Sequence, residues 1–84
     1  MADATLDAKF LKGPMPVLRA AKVLRGLTSG DKLRVLATDP GTVADFRDFC
    51  RENGHALMSW SELKGVFSFT IRCTAPHSVE KAQI

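Results

Sequence analysis

The chain has 84 residues, of which 45% are apolar, so it has room for one small domain and one core but not for a second catalytic domain. It contains five Phe, one Trp and no Tyr, and its formal net charge is +3. These values argue against a dedicated nucleic-acid-binding protein, which needs clustered cations and aromatic side chains for stacking. The charge is uneven, because residues 9–25 carry five basic side chains and no acidic one. One end of the domain is therefore expected to be basic.

The location of the protein is expected to be the cytoplasm. The opening residues do not form a targeting signal, and no stretch approaches the roughly 20 apolar residues that span a bilayer. Cys50 and Cys73 are too few for a disulfide framework in a domain with this much apolar material, so reduced thiols are expected.

The first two predicted elements are a short strand and an amphipathic helix. Residues 4–8 alternate weakly in the manner of a strand. Pro14 and Pro16 suit the first turn of a helix, because amides there have no intrahelical partner, and Gly26 or residues 28–30 can end it. The apolar side of this helix is predicted to comprise Val17, Leu18, Ala21, Leu24 and Leu27, and the opposite side Arg19, Lys22 and Arg25.

A second strand and a second helix follow. Residues 32–38 alternate with the period of a half-buried strand. Asp39 is predicted to cap the next helix, with Pro40 at its first position, and the pair Asn53-Gly54 is predicted to end it in a left-handed conformation. The core-facing residues predicted for these two elements are Leu33, Val35 and Ala37, then Val43, Phe46, Phe49 and Cys50.

The last two elements are predicted to form an antiparallel hairpin. Residues 55–61 and 66–73 are rich in β-forming side chains, and residues 62–65 suit the connection between them. The side chains predicted to face the core are Phe67, Phe69 and Ile71.

The order β-α-β-α-β-β predicts the fold class. Two helices then cover one face of a four-stranded mixed sheet, which gives an α/β (α+β) two-layer sandwich. We expect the domain to span residues 1–73. Residues 74–84 have too few apolar side chains to offset their ordering entropy, so a flexible C-terminal tail is predicted.

The motif Leu6-Asp7, then Leu11, then Pro14-Met15-Pro16 lies where the first predicted strand leads into the first predicted helix. It resembles the signature Leu-Asp-x-x-Gly-Leu-x-Cys-Pro-x-Pro of the TusA/SirA family of sulfur carriers, which joins the first strand to the first helix. The resemblance covers essentially the whole predicted domain. The further matching segments are Ala37-Thr38-Asp39-Pro40-Gly41-Thr42, Asp45-Phe46, Cys50, Gly54-His55 and Gly65-Val66.

The resemblance implies a sulfurtransferase or sulfur carrier. In the family, the signature cysteine accepts sulfur as a persulfide from a cysteine desulfurase or another donor and passes it to an acceptor protein. A thiol at a helix N-terminus suits this chemistry, because the positive end of the helix dipole stabilises the thiolate. The partners implied are therefore a sulfur donor and a downstream acceptor protein.

Two residues depart from the family signature. Phe10 stands where the family has glycine, and Gly13 stands where the family has its carrier cysteine. Glycine has no side chain to hold sulfur, which excludes persulfide chemistry at this position. Gly13 is still expected to expose backbone amides to an anion, as open helix N-termini do.

The candidate partner-binding residues surround Gly13. Prolines at a helix start are common for conformational reasons alone, and a charged helix face is often just solvated, so both of these interpretations stay open. Asp39 lies in the neighbouring loop besides being a predicted helix cap. The candidate set is Lys12, Pro14, Met15, Pro16, Arg19, Lys22 and Asp39.

The cysteine and histidine side chains are weaker candidates for a functional role. Cys50 falls on the apolar face of the second helix and is expected to be inert, whereas Cys73 ends the last strand and is the better candidate for oxidation or sulfuration. His55 and His77 lack the spaced companions that a zinc site requires, so neither a metal nor any other cofactor is expected.

The sequence is compatible with three functions. The leading hypothesis is a member of the sulfur-carrier family that keeps the docking scaffold without the carrier thiol. The alternative is a regulatory or protein-interaction module that kept only the fold. Contact with RNA through the basic helix is the third hypothesis, and the low charge and aromatic content disfavour it.

Overall fold

Six elements follow one another in the predicted order β-α-β-α-β-β. The computed structural model describes residues 3–74, so the predicted tail lies outside the described residues except for Thr74. The elements are β1 (Asp3–Ala8), α1 (Met15–Arg25), β2 (Lys32–Ala37), α2 (Thr42–Asn53), β3 (Ala56–Leu63) and β4 (Val66–Arg72). Within residues 3–74, neither helix has the length and apolar content needed to cross a bilayer.

The sheet is mixed, with the strand order β1-β2-β4-β3. β1 and β2 pair in parallel, whereas β4 pairs antiparallel with both of its neighbours. Ala8 and Ala37, the last residues of the two parallel strands, lie opposite each other. The loops that follow these strands therefore start side by side, and this places the candidate site.

The core lies between the sheet and the two helices. Leu33 and Val35 from β2, Phe69 and Ile71 from β4, and Phe46 from α2 are completely buried. The ring of Phe46 lies 4.9 Å from that of Phe69, which joins α2 to the centre of the sheet. Burying each of these large side chains contributes roughly 1.5–3 kcal/mol. The core faces predicted for β2, α2 and β4 are confirmed.

The buried face of α1 differs from the prediction. Leu18 was predicted to face the core, but it is 55% exposed. The buried positions are Pro16, Ala20 and Leu24, which recur every four residues. The predicted burial of Leu24 is confirmed, and Val17 and Leu27 pack against the core as predicted, but the small side chain of Ala20 is buried in place of Leu18. The predicted end of the helix at Gly26 is confirmed, since the amide of Gly26 donates to the carbonyl of Val23.

The start of α2 also differs from the prediction. The helix begins at Thr42 and its N-cap is Gly41, not Asp39. Asp39 instead closes a turn just before the helix, because its Oδ1 accepts a hydrogen bond of 3.0 Å from the amide of Gly41. The predicted left-handed end is confirmed, since Gly54 has a φ of 77°.

The hairpin connection is shorter than predicted. β3 continues to Leu63, and only Lys64 and Gly65 lie between the strands. Both have positive φ, at 52° and 82°, which suits a tight two-residue turn. The carboxylate of Glu62 accepts a hydrogen bond from the amide of Gly65 and closes the turn.

His55 ties the end of α2 to the end of β4. Its Nδ1 accepts a hydrogen bond of 3.1 Å from the amide of Thr74, and its ring lies 5.9 Å from that of Phe49. The Thr74 hydroxyl also donates to the carbonyl of Gly54. Burial lowers the pKa of His55 below its ordinary value of 6.5. The acceptor role requires an unprotonated Nδ1, so the native contact belongs to neutral His55.

We expect the free energy of unfolding to fall as the pH drops below about 6.5, by at most about 1.4 kcal/mol per pH unit. The unfolded chain binds a proton at a pH where folded His55 stays neutral, so acid favours unfolding in this window. Urea denaturation between about pH 7 and pH 5 measures the slope. His55→Gln should lose this part of the slope, and the control His77→Gln should keep it. An unchanged slope in His55→Gln would contradict the assignment.

Candidate docking site at the start of the first helix

Two adjacent loops form the candidate site. The first loop, residues 9–14, joins β1 to α1, and the second loop, residues 38–41, joins β2 to α2. The amide of Phe10 donates to the hydroxyl oxygen of Thr38 at 2.9 Å, and the amide of Gly13 donates to Oδ2 of Asp39 at 3.1 Å. The second loop therefore holds the first at both ends.

Asp39 is the main connection between the loops. One carboxylate oxygen accepts from the amide of Gly41 in its own loop, and the other accepts from the amide of Gly13 across the gap. Hydrogen bonds to a charged acceptor are stronger than neutral ones. Asp39 thus fixes where the first loop enters α1.

Gly13 lies just before α1, and its backbone adopts a φ of 61°. A Cβ added at Gly13 would meet no other heavy atom within 4 Å, so the position opens into free space. The left-handed backbone favours glycine over a residue with a side chain.

The structure contradicts the expectation that Gly13 exposes its own amide to an anion. Its own amide already donates to the carboxylate of Asp39, and the amide of Met15 donates to the carbonyl of Lys12. Pro14, which is the N-cap, and Pro16 have no amide hydrogen. The prolines that suit a helix start thus remove donors that an anion would need.

Phe10 has the other unusual backbone in the first loop. Its φ is 71°, and its side chain is 82% exposed. Left-handed conformation is rare for a bulky residue, and here no burial of the ring compensates for it.

Most of the predicted partner-binding residues lie at the surface. Met15, Arg19 and Lys22 line one groove of about 450 Å³ on the outer face of α1, together with Leu18. Pro16 and Asp39 are the exceptions, because Pro16 is completely buried and Asp39 is half-buried. A second cavity of about 550 Å³ lies between the two loops and is lined by Phe10, Leu11, Lys12, Thr38, Asp39 and Pro40.

An acidic groove on the other side of α1 was not predicted. It has a volume of about 570 Å³ and lies between the helices, where Asp45, Asp48 and Glu52 contribute three carboxylates. Their spacing of three and four residues places them on one face of α2, and this was the signal available in the sequence.

Gly13 lines this acidic groove, whereas Lys12 lines the cavity between the loops, so residues of opposite charge flank the start of α1. The other residues lining the acidic groove are Pro14, Val17 and Phe49.

Neither cysteine lies at this site. Cys50 is buried in α2, and burial raises the pKa of its thiol to about 11. Cys73 was predicted to be the better candidate for oxidation or sulfuration, but it is only 1% exposed. Its Sγ lies 3.7 Å from the carbonyl oxygen of Leu24, near the far end of α1. Burial, and secondarily the negative charge of Asp31, raise the pKa of Cys73. Both thiols are therefore poor nucleophiles.

Comparison with known proteins gives a consistent result. The family model described as sulfurtransferase TusA matches residues 4–73. The sulfur carrier protein TusA of Allochromatium vinosum is 47% identical over 70 residues, which cover 83% of this chain and 92% of the relative. The sulfur carrier protein TusA of Pseudomonas entomophila is 44% identical over 70 residues, covering 83% and 88%. The crystal structure of a SirA-like protein from Desulfitobacterium hafniense superimposes with a TM-score of 0.76 at 27% identity, covering 86% of this chain and 99% of that one.

Asp39→Ala should lower the free energy of unfolding by about 1–2 kcal/mol, because two backbone amides lose a charged acceptor. Hydrogen exchange at the amides of Gly13 and Gly41 should accelerate in the same variant. The control is Asp48→Ala, which removes an exposed ion pair with Arg51 and should cost less than about 0.5 kcal/mol. Equal losses of stability in the two variants would show that Asp39 does not hold the loops.

Phe10→Gly should raise the free energy of unfolding by about 0.5–1 kcal/mol. Glycine removes the cost of the left-handed backbone, about 1–2 kcal/mol, and part of this gain is offset by the larger entropy of the unfolded chain. Phe10→Ala keeps a Cβ in the same conformation and should leave stability nearly unchanged. Chemical denaturation of the three proteins measures the difference, and a destabilised Phe10→Gly would contradict the account of strain.

Proposed function

Because this chain belongs to the TusA sulfurtransferase family, we propose that it acts in a sulfur relay as a docking protein that itself holds no sulfur at residue 13. Homologues named sulfur carrier protein support a role in sulfur relay. In the proposed role, the site at the start of α1 binds a cysteine desulfurase or another sulfur donor, and a downstream acceptor protein. The observation that carries the proposal is the glycine at position 13, which leaves the docking scaffold without a nucleophile.

The construction of the site supports docking. The first loop is held by Thr38 and Asp39, so it meets a partner in a fixed shape and loses little entropy on binding. The candidate contacts are the exposed residues Lys12, Pro14, Met15, Arg19 and Lys22.

The state of the two thiols supports the absence of sulfur transfer. Transfer of a persulfide sulfur needs a thiolate that can reach the donor. Cys50 and Cys73 are both buried, and burial raises the pKa of each thiol. The proposed relay operates in the cytoplasm, where free thiols of this kind remain reduced.

One observation favours a second candidate function, which is a regulatory or interaction module outside sulfur metabolism. Phe10 replaces the small residue of the family signature with an exposed aromatic ring beside Gly13. An exposed ring of this kind can also serve as a contact for a partner outside sulfur metabolism. Tight binding of a desulfurase to the chain would count against this second function.

Gly13→Cys should gain one reducible sulfur atom when it is incubated with a cysteine desulfurase and cysteine. The introduced thiolate would attack the terminal sulfur of the desulfurase persulfide, and the desulfurase cysteine would leave as a thiolate. The new side chain has open space, and the left-handed backbone should cost about 1–2 kcal/mol. Intact-protein mass spectrometry with and without reductant measures the gain, and the unsubstituted chain should gain nothing.

Gly65→Cys is the matched control for this experiment. Gly65 also has a positive φ and open space around its Cβ position, but it lies in the hairpin turn and not at a helix N-terminus. Equal sulfur on both variants would mean that any exposed thiol reacts and that docking does not direct the transfer. Sulfur on the unsubstituted chain, or on neither variant, would also contradict the proposal.

A further inference from the structure

Phe10 differs from the other four phenylalanines, because its ring does not pack against the core. Phe46 and Phe69 are completely buried, and Phe49 and Phe67 pack against the same core. Phe10 is 82% exposed, so its ring contributes little apolar burial to the fold. Stability of the domain does not explain a phenylalanine at this position.

The backbone conformation of Phe10 is a second, independent indication that this phenylalanine is not explained by the stability of the domain. Its φ of 71° is unfavourable for a bulky residue and would suit glycine. Strained residues of this kind persist where the surrounding structure fixes them, and they cluster at binding sites. Here the amide of Phe10 is bound by the hydroxyl oxygen of Thr38, and the next amide, that of Leu11, donates to the carbonyl of Ala8 at 3.2 Å. The ring is thus displayed from a loop whose shape is already fixed.

The surroundings of Phe10 combine apolar groups with positive charge. Leu11, Pro40 and Lys12 line the cavity between the loops together with Phe10. Asp39 lines this cavity too, but both of its carboxylate oxygens accept backbone amides. The adjoining sequence, residues 9–25, contains no acidic residue.

The outer groove of α1 has the same character. Met15 and Leu18 are exposed apolar side chains, and they share this groove with Arg19 and Lys22. Exposed apolar groups set among cations fit a partner that offers an apolar pocket bordered by carboxylates.

We propose that Phe10 is the specificity-determining anchor of the docking site, and that its ring enters an apolar pocket on a partner protein whose rim carries carboxylates facing Lys12 and Arg19. The inference rests on the proposed function, because it assigns partner chemistry to the same site. An aromatic anchor on a rigid loop is typical of the few residues that dominate an interface. A second copy of this chain is a poor partner, since a symmetric contact would bring two basic α1 faces together.

The experiment is isothermal titration calorimetry with a purified cysteine desulfurase as the probe. Phe10→Ala and Phe10→Gly should each weaken binding by about tenfold or more, because both remove the ring. Lys12→Gln should weaken binding less and should reduce its dependence on salt. The control is Met58→Ala, which truncates an exposed apolar side chain on the outer strand β3 and should change the affinity by less than about twofold.

Each other outcome has a definite meaning. Equal affinity of the unsubstituted chain and both Phe10 variants would overturn this inference and leave the proposed function standing. Absence of binding by every protein would overturn both. Self-association that sedimentation detects and that Phe10→Ala abolishes would overturn it in favour of a second copy as the partner. Unfolding would not account for weak binding by Phe10→Gly, because that variant relieves backbone strain, and urea denaturation checks this.

Discussion

The hydrogen bonds of Asp39 are the interaction on which the site depends. Parallel pairing of β1 and β2 brings the loops after the two strands together, but pairing alone leaves the shape of those loops undefined. The two oxygens of Asp39 connect Gly13 to Gly41 and so connect the starts of both helices. These hydrogen bonds hold the first loop in place against the loop that follows β2. The first loop can therefore present a fixed shape at the surface.

The core and the site obey local sequence preferences to different degrees. In the core, pattern, burial and backbone conformation agree, as they do for Leu33 and Val35 in β2. In the first loop they conflict, because Phe10 combines a bulky side chain, a left-handed backbone and exposure to water. Such a conflict persists where the surrounding structure fixes the backbone, as the hydrogen bond from the amide of Phe10 to Thr38 does here, and strained residues of this kind cluster at functional sites.

The sequence was sufficient to predict the order of elements and most of the core, because those depend on periodicity. The sequence was insufficient where two apolar residues of one helix could each face the core, and where contacts join segments that are distant in the chain. Leu18 and Ala20 fit α1 equally well as apolar positions, and only packing against the sheet decides between them. Asp39 followed by proline has the pattern of a helix cap, yet its second oxygen is bound by the amide of Gly13, which is 26 residues away in sequence. The same limit applies to Cys73, whose burial depends on the approach of α1 to the end of β4.

The charges around Gly13 constrain how partners can approach the site. The cations Lys12, Arg19 and Lys22 follow the first loop and the outer face of α1, whereas the carboxylates of α2 line the groove between the helices. The formal net charge of +3 does not reveal this separation, because the opposite charges largely cancel in the sum. Electrostatic attraction acts over about 8–10 Å at physiological salt, which is comparable to the diameter of one helix. In the proposed complex, a partner with a carboxylate rim would therefore be drawn to the cations of the first loop and α1, among which Lys12 lines the same cavity as Phe10, and would be repelled by the groove between the helices. This separation of charge would orient the partner before any side chain makes contact.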